Sequence, residues 1–177
     1  PLGLAGSVVN PVASVAGAIS GRIATPGQRV IYSLDLTDTR RVVMDLLRDS
    51  PMNWTLTGPQ GEIVSARRFS DTDSADFTAS PVLRLGAGDY QLKIDAVGSV
   101  TGNYNFRLRN LTLRTPLTLG SPVSGTPTPT SETDIYRFAA NAGETFFFDG
   151  GDVHNDMPWR LIDPFGNEIF GPNTIGN

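Results

Sequence analysis

Two acidic clusters hold the densest metal-type ligands in the chain: "DTDSAD", with Asp71, Asp73 and Asp76, and "DGGDVHND", with Asp149, Asp152 and Asp156 beside Asn155. Calcium takes several oxygen ligands, commonly from one loop, so these carboxylates form the candidate calcium set, and Ca2+ is the one cofactor the residue types suggest. Neither cluster is an EF-hand. Counted from Asp71, position six is Asp76 where glycine is needed, and position twelve is Val82. Solvated acidic loops are commoner than metal sites, and that reading stands beside the calcium one.

Other chemistry is sparse. The chain has no cysteine and a single histidine, His154, set among turn formers between Asp152 and Asp156. Nucleophilic catalysis needs a base beside a nucleophile, and no Gly-x-Ser-x-Gly elbow accompanies this histidine. A zinc shell would have to be completed by carboxylates alone. The expectation is a protein that is not an enzyme. Arg107 and Arg109 alternate with Phe106 and Leu108, which places them on one outward strand face, with Arg67 or Arg68 as possible companions. Such a face could hold an acidic polymer or be an ordinary solvated surface. Trp54 and Trp159 could stack on a sugar ring or a peptide, but their recurrence in one phrase favours two equivalent core anchors. The sequons at Asn53 and Asn110 matter only in a eukaryotic secretory setting.

The elements that must position these residues are strands. In "RVIYSLDL", Val30, Tyr32, Leu34 and Leu36 share one face, the pattern of a half-buried strand, and "RVVMDLL" is a more fully apolar strand interrupted by Asp45. "NWTLT", the turn "GPQG" and "EIVSARRF" read as a hairpin, and "SDTDSADFTAS" as an exposed loop. "PVLRL", "GDYQLKIDA" and "NYNFRLRNLTL" continue the alternation, and no window carries a sustained helical pattern. With 19 glycines and 13 prolines in 177 residues, the composition fits turn-rich all-β architecture. The predicted fold is a β-sandwich of jelly-roll or Greek-key type. A net charge of −4 argues against nucleic acid, which is bound by neutralising phosphates. The uncharged residues 1–21 are broken by Pro11 and several Gly and Ser, so no membrane span is expected.

An internal repeat organises the rest. "ISGRIATPGQRVIYSL" (19–34) aligns with "VSGTPTPTSETDIYRF" (123–138) at an offset of 104, and "VVMD" (42–45) with "FFFD" (146–149) at the same offset. Trp54, Pro59 and Gly61 match Trp159, Pro164 and Gly166 at 105, one residue having been inserted between. The chain therefore divides into residues 1–17, a linker or edge segment; 18–113, one complete sandwich; 114–122, a linker; and 123–177, the first part of a second unit. The second unit has no counterpart of "PVLRLGAGDYQLKIDAVGSVTGNYNFRLRNL". Its open edges predict strand complementation or oligomerisation.

"LGAGDYQLKIDA" (85–96) resembles a phrase of the bacterial pre-peptidase C-terminal domain, and "TGNYNFRLRNL" followed by "TPLTLGSPVSG…ETDIYRF" resembles its tandem versions in very large secreted or surface proteins. The family is similar in fold to the collagen-binding modules of clostridial collagenases. The resemblance implies a non-catalytic accessory or spacer module, secreted or on a bacterial cell surface. Its partners would be other domains of the same large protein, or an extracellular polymer or surface glycan, sometimes with calcium. The first unit departs from the pattern, lacking the acidic triplet that the second keeps as Glu132, Thr133 and Asp134, which puts a calcium role for its opening strand in doubt.

Overall fold

The computed structural model describes residues 7–11, 17–73, 80–112, 114–150 and 157–175. In chain order the strands are β1 (Ser7–Pro11), β2 (Ala18–Ile23), β3 (Arg29–Leu36), β4 (Arg40–Arg48), β5 (Met52–Gly58), β6 (Gly61–Arg68), β7 (Val82–Leu85), β8 (Gly88–Ala96) and β9 (Gly102–Asn110). After them come β10 (Thr115–Pro116), β11 (Tyr136–Arg137), β12 (Met157–Ile162) and β13 (Glu168–Ile175). Among the described residues the helical content is one 3-10 turn, Phe69–Asp71.

The protein is all-β, and its first nine strands make a sandwich of two sheets, β1-β3-β8-β5-β6 and β2-β9-β4-β7. The strands β8 and β9, consecutive in sequence, each take an interior position in a different sheet. The burial pattern of β3, with Val30, Tyr32, Leu34 and Leu36 buried and alternate residues more open, follows directly from the alternation of its sequence. The two inner faces meet in one core that includes Tyr32, Trp54 and Ile94 from the first sheet and Met44, Tyr104 and Phe106 from the second. The Tyr32 and Tyr104 hydroxyls share a buried hydrogen bond of 2.7 Å, a polar link between sheets where both phenols would otherwise be left unsatisfied.

Two expectations need correction. Asp45 does not interrupt its strand: β4 runs unbroken through it, and Val42 to Leu46 are all buried, on both faces of the sheet. The stretch after β6 is not wholly exposed either. Within "SDTDSADFTAS", Thr72 is buried with its hydroxyl accepting the Trp54 indole N–H at 2.8 Å, while Phe69, the last residue of "EIVSARRF", starts the 3-10 turn and enters the core.

The hairpin β5–β6 carries a register shift between Trp54 and Leu56. There Ala66 adopts a positive φ of 39°, and its N–H is taken by the buried Thr55 hydroxyl. The hairpin β12–β13 shows a register shift at the matching place, between Trp159 and Leu161. A bulge re-aims the strand and fixes which face each side chain takes, so both tryptophans are held in the same phase.

The Ser-Gly pair at 20–21 recurs at 124–125, but only the first glycine is sterically required. A Cβ at Gly21 would lie 2.2 Å from the Tyr104 hydroxyl oxygen, whereas at Gly125 the nearest atom is Asp134 Oδ2 at 4.0 Å. Gly21→Ala is expected to cost about 1–3 kcal/mol by driving Tyr104 from its bond with Tyr32. Gly125→Ala should stay within about 0.5 kcal/mol of the parent. Urea unfolding checks both, and an unchanged Gly21→Ala protein would refute the close packing.

Candidate functional site

The site is centred on Asp45. Alternation along β4 sends Val42, Met44 and Leu46 into the core and Val43 and Asp45 to the other side of the sheet, where Asp45 is nonetheless 0% exposed. A buried carboxylate is tolerable only when paired and hydrogen-bonded. Arg107 stands directly opposite on β9 and donates from Nε and Nη2 to Asp45 Oδ2 at 3.0 and 2.6 Å. Arg109 donates to the same oxygen at 3.3 Å, and the backbone N–H of Thr133 donates to Asp45 Oδ1 at 3.0 Å.

Residues 132 and 133 thus close the outer face of the sheet. Arg107 also donates to Glu132 Oε1, and Arg109 to the Thr133 carbonyl, both at 2.5 Å. Glu132 reaches this position through a local turn: its other oxygen accepts the N–H of Thr128 at 3.2 Å. At the corresponding place in the sandwich, Gln28 Oε1 accepts the N–H of Ala24 at 2.6 Å, the same bond four residues back. A side-chain oxygen at the same distance from the backbone therefore serves the turn in both places, from an amide in Gln28 and from a carboxylate in Glu132, and the carboxylate adds a partner for arginine.

The electrostatics follow from these contacts. Burial works against the Arg107 charge, yet hydrogen bonds to Glu132 and Asp45 hold its pKa above the ordinary arginine value. The Arg107 hydrogen bond holds Glu132 below the usual glutamate range. Asp73 lies beside them, its Oδ2 accepting the Leu46 N–H at 2.8 Å and the Thr133 hydroxyl at 3.2 Å. Burial raises its pKa to about 6, with the Asp45 charge adding to the rise. Arg114 is buried nearby with Nε and Nη2 lacking hydrogen-bond partners, and desolvation, then Arg109, lowers its pKa to about 10.

A second contact ties the C-terminal hairpin to the sandwich. Ser80 Oγ donates to the Gly166 carbonyl at 2.9 Å, in the turn between β12 and β13. Gly166 has a φ of +98°, and a Cβ there would sit 3.1 Å from Val82, so the turn approaches β7 where glycine fits.

Of the calcium candidates, the described residues place Asp73 in the junction, leave Asp71 exposed with its carboxylate accepting the Ser70 hydroxyl, and leave Asp149 exposed. Asp76, Asp152 and Asp156, like His154, lie outside the described residues. Among the described residues no three metal-ligating side chains converge. Arg107 and Arg109 do share one sheet face, and their guanidinium groups are turned onto Asp45 and residues 132–133. Trp54 is buried, with the Arg67 guanidinium 5.3 Å above its ring centroid, and Trp159 is half-buried.

Asp45 and Glu132 were not singled out in the sequence as a pair, nor was Arg114. One signal was available: a strand apolar on both faces is a strand covered on both faces, and a lone acid inside it requires a cation.

No family model and no curated protein matches the chain. Among solved structures, it is similar to the pre-peptidase C-terminal domain of collagenase from Bacillus anthracis at 12% identity, covering 59% of this chain and 95% of that one, with a TM-score of 0.41. It is similar also to PliG, a periplasmic inhibitor of g-type lysozyme, from Aeromonas hydrophila (14% identity, 58% and 97% covered, TM-score 0.38). The Salmonella Typhimurium PliG matches at 17% identity, with 59% and 100% covered and a TM-score of 0.40. No helix among the described residues is long and apolar enough to cross a membrane.

The raised Asp73 pKa fixes a pH dependence. Below about pH 4 the group is protonated folded or unfolded, and its stabilising contribution is complete. Between about pH 4 and 6 the folded state alone keeps the proton, so this contribution is lost as pH rises through about 6. Asp73→Asn keeps an acceptor for Leu46 and removes the charge. Its expected effect is a gain of about 1–3 kcal/mol in urea unfolding at pH 8 and almost none at pH 4. Equal effects at the two pH values would mean that Asp73 is not desolvated.

Proposed function

We propose that this chain is a non-catalytic structural spacer or adhesive segment of a large secreted or surface-exposed bacterial protein, built from tandem sandwich units joined through charged junctions. The observation that carries this reading is the Asp45 junction. A flexible linker would leave an acid and two arginines to solvent, whereas here residues 132–133 complete their hydrogen bonding and hold the start of the repeated segment against the preceding sandwich. The turn at Gly166 adds a second point of attachment, and two separated contacts restrict rotation about either one.

The repeat supports the same reading. Trp54 and Trp159 sit in hairpins with matching bulges, and β1–β3 and β10–β11 are both parallel pairs. Asn10 faces Tyr32 as Thr115 faces Tyr136, and Pro11 faces Ser33 as Pro116 faces Arg137. In this reading the residues between the units belong to the second unit as its entry strand.

A carbohydrate- or matrix-binding accessory module is the second reading, favoured by two aromatic rings offered to solvent: Phe147 at 90% and Phe165 at 76% exposure.

Glu132→Ala separates the junction from the fold. The sandwich is expected to lose no more than about 1 kcal/mol, since Arg107 keeps Asp45. Small-angle scattering should show a larger radius of gyration as the C-terminal part detaches. Unchanged scattering would remove the junction as the element that fixes the arrangement. A glycan and matrix-peptide array divides the two readings: the spacer gives no binding, and the accessory module gives binding that Phe147→Ala or Phe165→Ala abolishes.

A further inference from the structure

The end of the sandwich where β4 passes to β5 holds a cleft. Its volume is about 340 Å³, within the range of small-molecule sites, and its walls include Asp49, Ser50 and Pro51 between the two strands, Met52 opening β5, Arg68 ending β6 and Val97 just after β8. Backbone bonds fix these walls. The Met52 N–H donates to the Ser50 carbonyl at 2.7 Å, closing a γ-turn over Pro51, and the Val97 N–H donates to the Pro51 carbonyl at 3.0 Å. The β4–β5 loop is thereby tied to the end of β8, and the cleft is preformed. Met52, fully buried, joins Pro51 and Val97 in giving it an apolar part.

Three polar groups of the lining are left unmatched. Ser50 is only 7% exposed, yet its hydroxyl has no hydrogen-bond partner among the described residues, whereas the hydroxyl of Ser70, also in the lining, is taken by Asp71. A hydroxyl removed from water without a partner is costly, so its retention calls for a reason. Asp49 and Arg68 are exposed and opposite in charge. No salt bridge joins them, and none ties either of them to another described residue. One cleft thus presents a carboxylate, a guanidinium and an apolar surface, with a hydroxyl in its wall.

We propose that this cleft binds a small zwitterion with an apolar body, of the class of a free amino acid or a dipeptide, with its ammonium group on Asp49, its carboxylate on Arg68 and its apolar side chain on Met52 and Val97. A simple anion or cation would match one of the two charges and leave the other opposed, and a wholly apolar ligand would strip water from both without replacing it. The Ser50 hydroxyl gains its missing partner when the ligand seats against the wall. None of these residues belongs to the Asp45 junction, so the cleft and the spacer role stand or fall separately.

Titrating the whole chain with free leucine and with leucyl-leucine, followed through backbone amide chemical shifts, tests this. At least one of the two should give saturable shifts at residues 49–52, 68–70 and 97, with residues 128–137 unmoved. The same ligand acetylated on its amine, or amidated on its carboxylate, should bind about tenfold more weakly, each having lost one charge-assisted contact. Asp49→Asn should erase the difference between the ligand and its acetylated form, and Arg68→Gln the difference between the ligand and its amide. Both side chains are exposed, so the fold survives either change. Ser50→Ala should raise the urea midpoint of the free protein while weakening the ligand, because it removes a hydroxyl that only the ligand satisfies. Shifts that never saturate with either probe, or equal binding of the charged, acetylated and amidated forms, overturn the proposal. A lowered midpoint in Ser50→Ala takes the Ser50 hydroxyl out of the site.

Discussion

A carboxylate with no exposed surface, placed in the middle of a strand, constrains everything around it. Asp45 cannot be left to the core and cannot reach water, so β9 must bring Arg107 directly opposite, and Arg109 must bend to the same oxygen. Those two cations in turn exceed what one carboxylate satisfies. Glu132 and the Thr133 carbonyl supply the remainder, and they come from beyond the sandwich. The outer face of the sheet is therefore covered for an electrostatic reason. Val43, on the same side of the strand as Asp45, is buried as well.

The rest of the molecule divides by how its apolar surface is closed. In the sandwich two interior strands, β8 and β9, draw both sheets together over Tyr32, Trp54, Tyr104 and Phe106, and the tyrosine pair spans the gap. Among the described residues of the C-terminal part, the hairpin β12–β13 forms a sheet of its own, and larger rings hold one another there. Two-stranded sheets are marginal alone. Edge-on and tilted ring contacts and the anchor at Gly166 steady this one.

The sequence showed the strands clearly because their burial is local: alternation in β3, β8 and β9 maps residue by residue onto the inner faces. The hairpin around Trp54 and the repeat at Trp159 were equally legible, since turn chemistry and an inward anchor recur at fixed spacing. The junction was not. Asp45 and Thr133 are 88 residues apart, and nothing near Asp45 in sequence distinguishes a paired buried acid from a strand interruption. Arg107 and Arg109 fall on one strand face by alternation, but periodicity does not say what lies over that face. Asp73 was read among its neighbouring acids as a possible ligand, whereas its geometry is set by Leu46 and Thr133, which only the fold brings to it.

The Gln28 and Glu132 turns, alike in their backbone bond and different in charge, give the junction a direction. The sandwich carries one half of the join, Asp45 with its arginines, and at its own opening turn carries a neutral glutamine; the segment that follows carries the other half, the Glu132 carboxylate and the Thr133 backbone. The two halves are thus different patches, so a contact of this kind is heterologous and does not pair off face to face. Position 149 aligns with Asp45, which sets an acid at the corresponding place one repeat further on. Were units strung together as proposed above, the string would be polar, like a row of hooks and eyes, with each join facing the same way and none closing it into a symmetric pair.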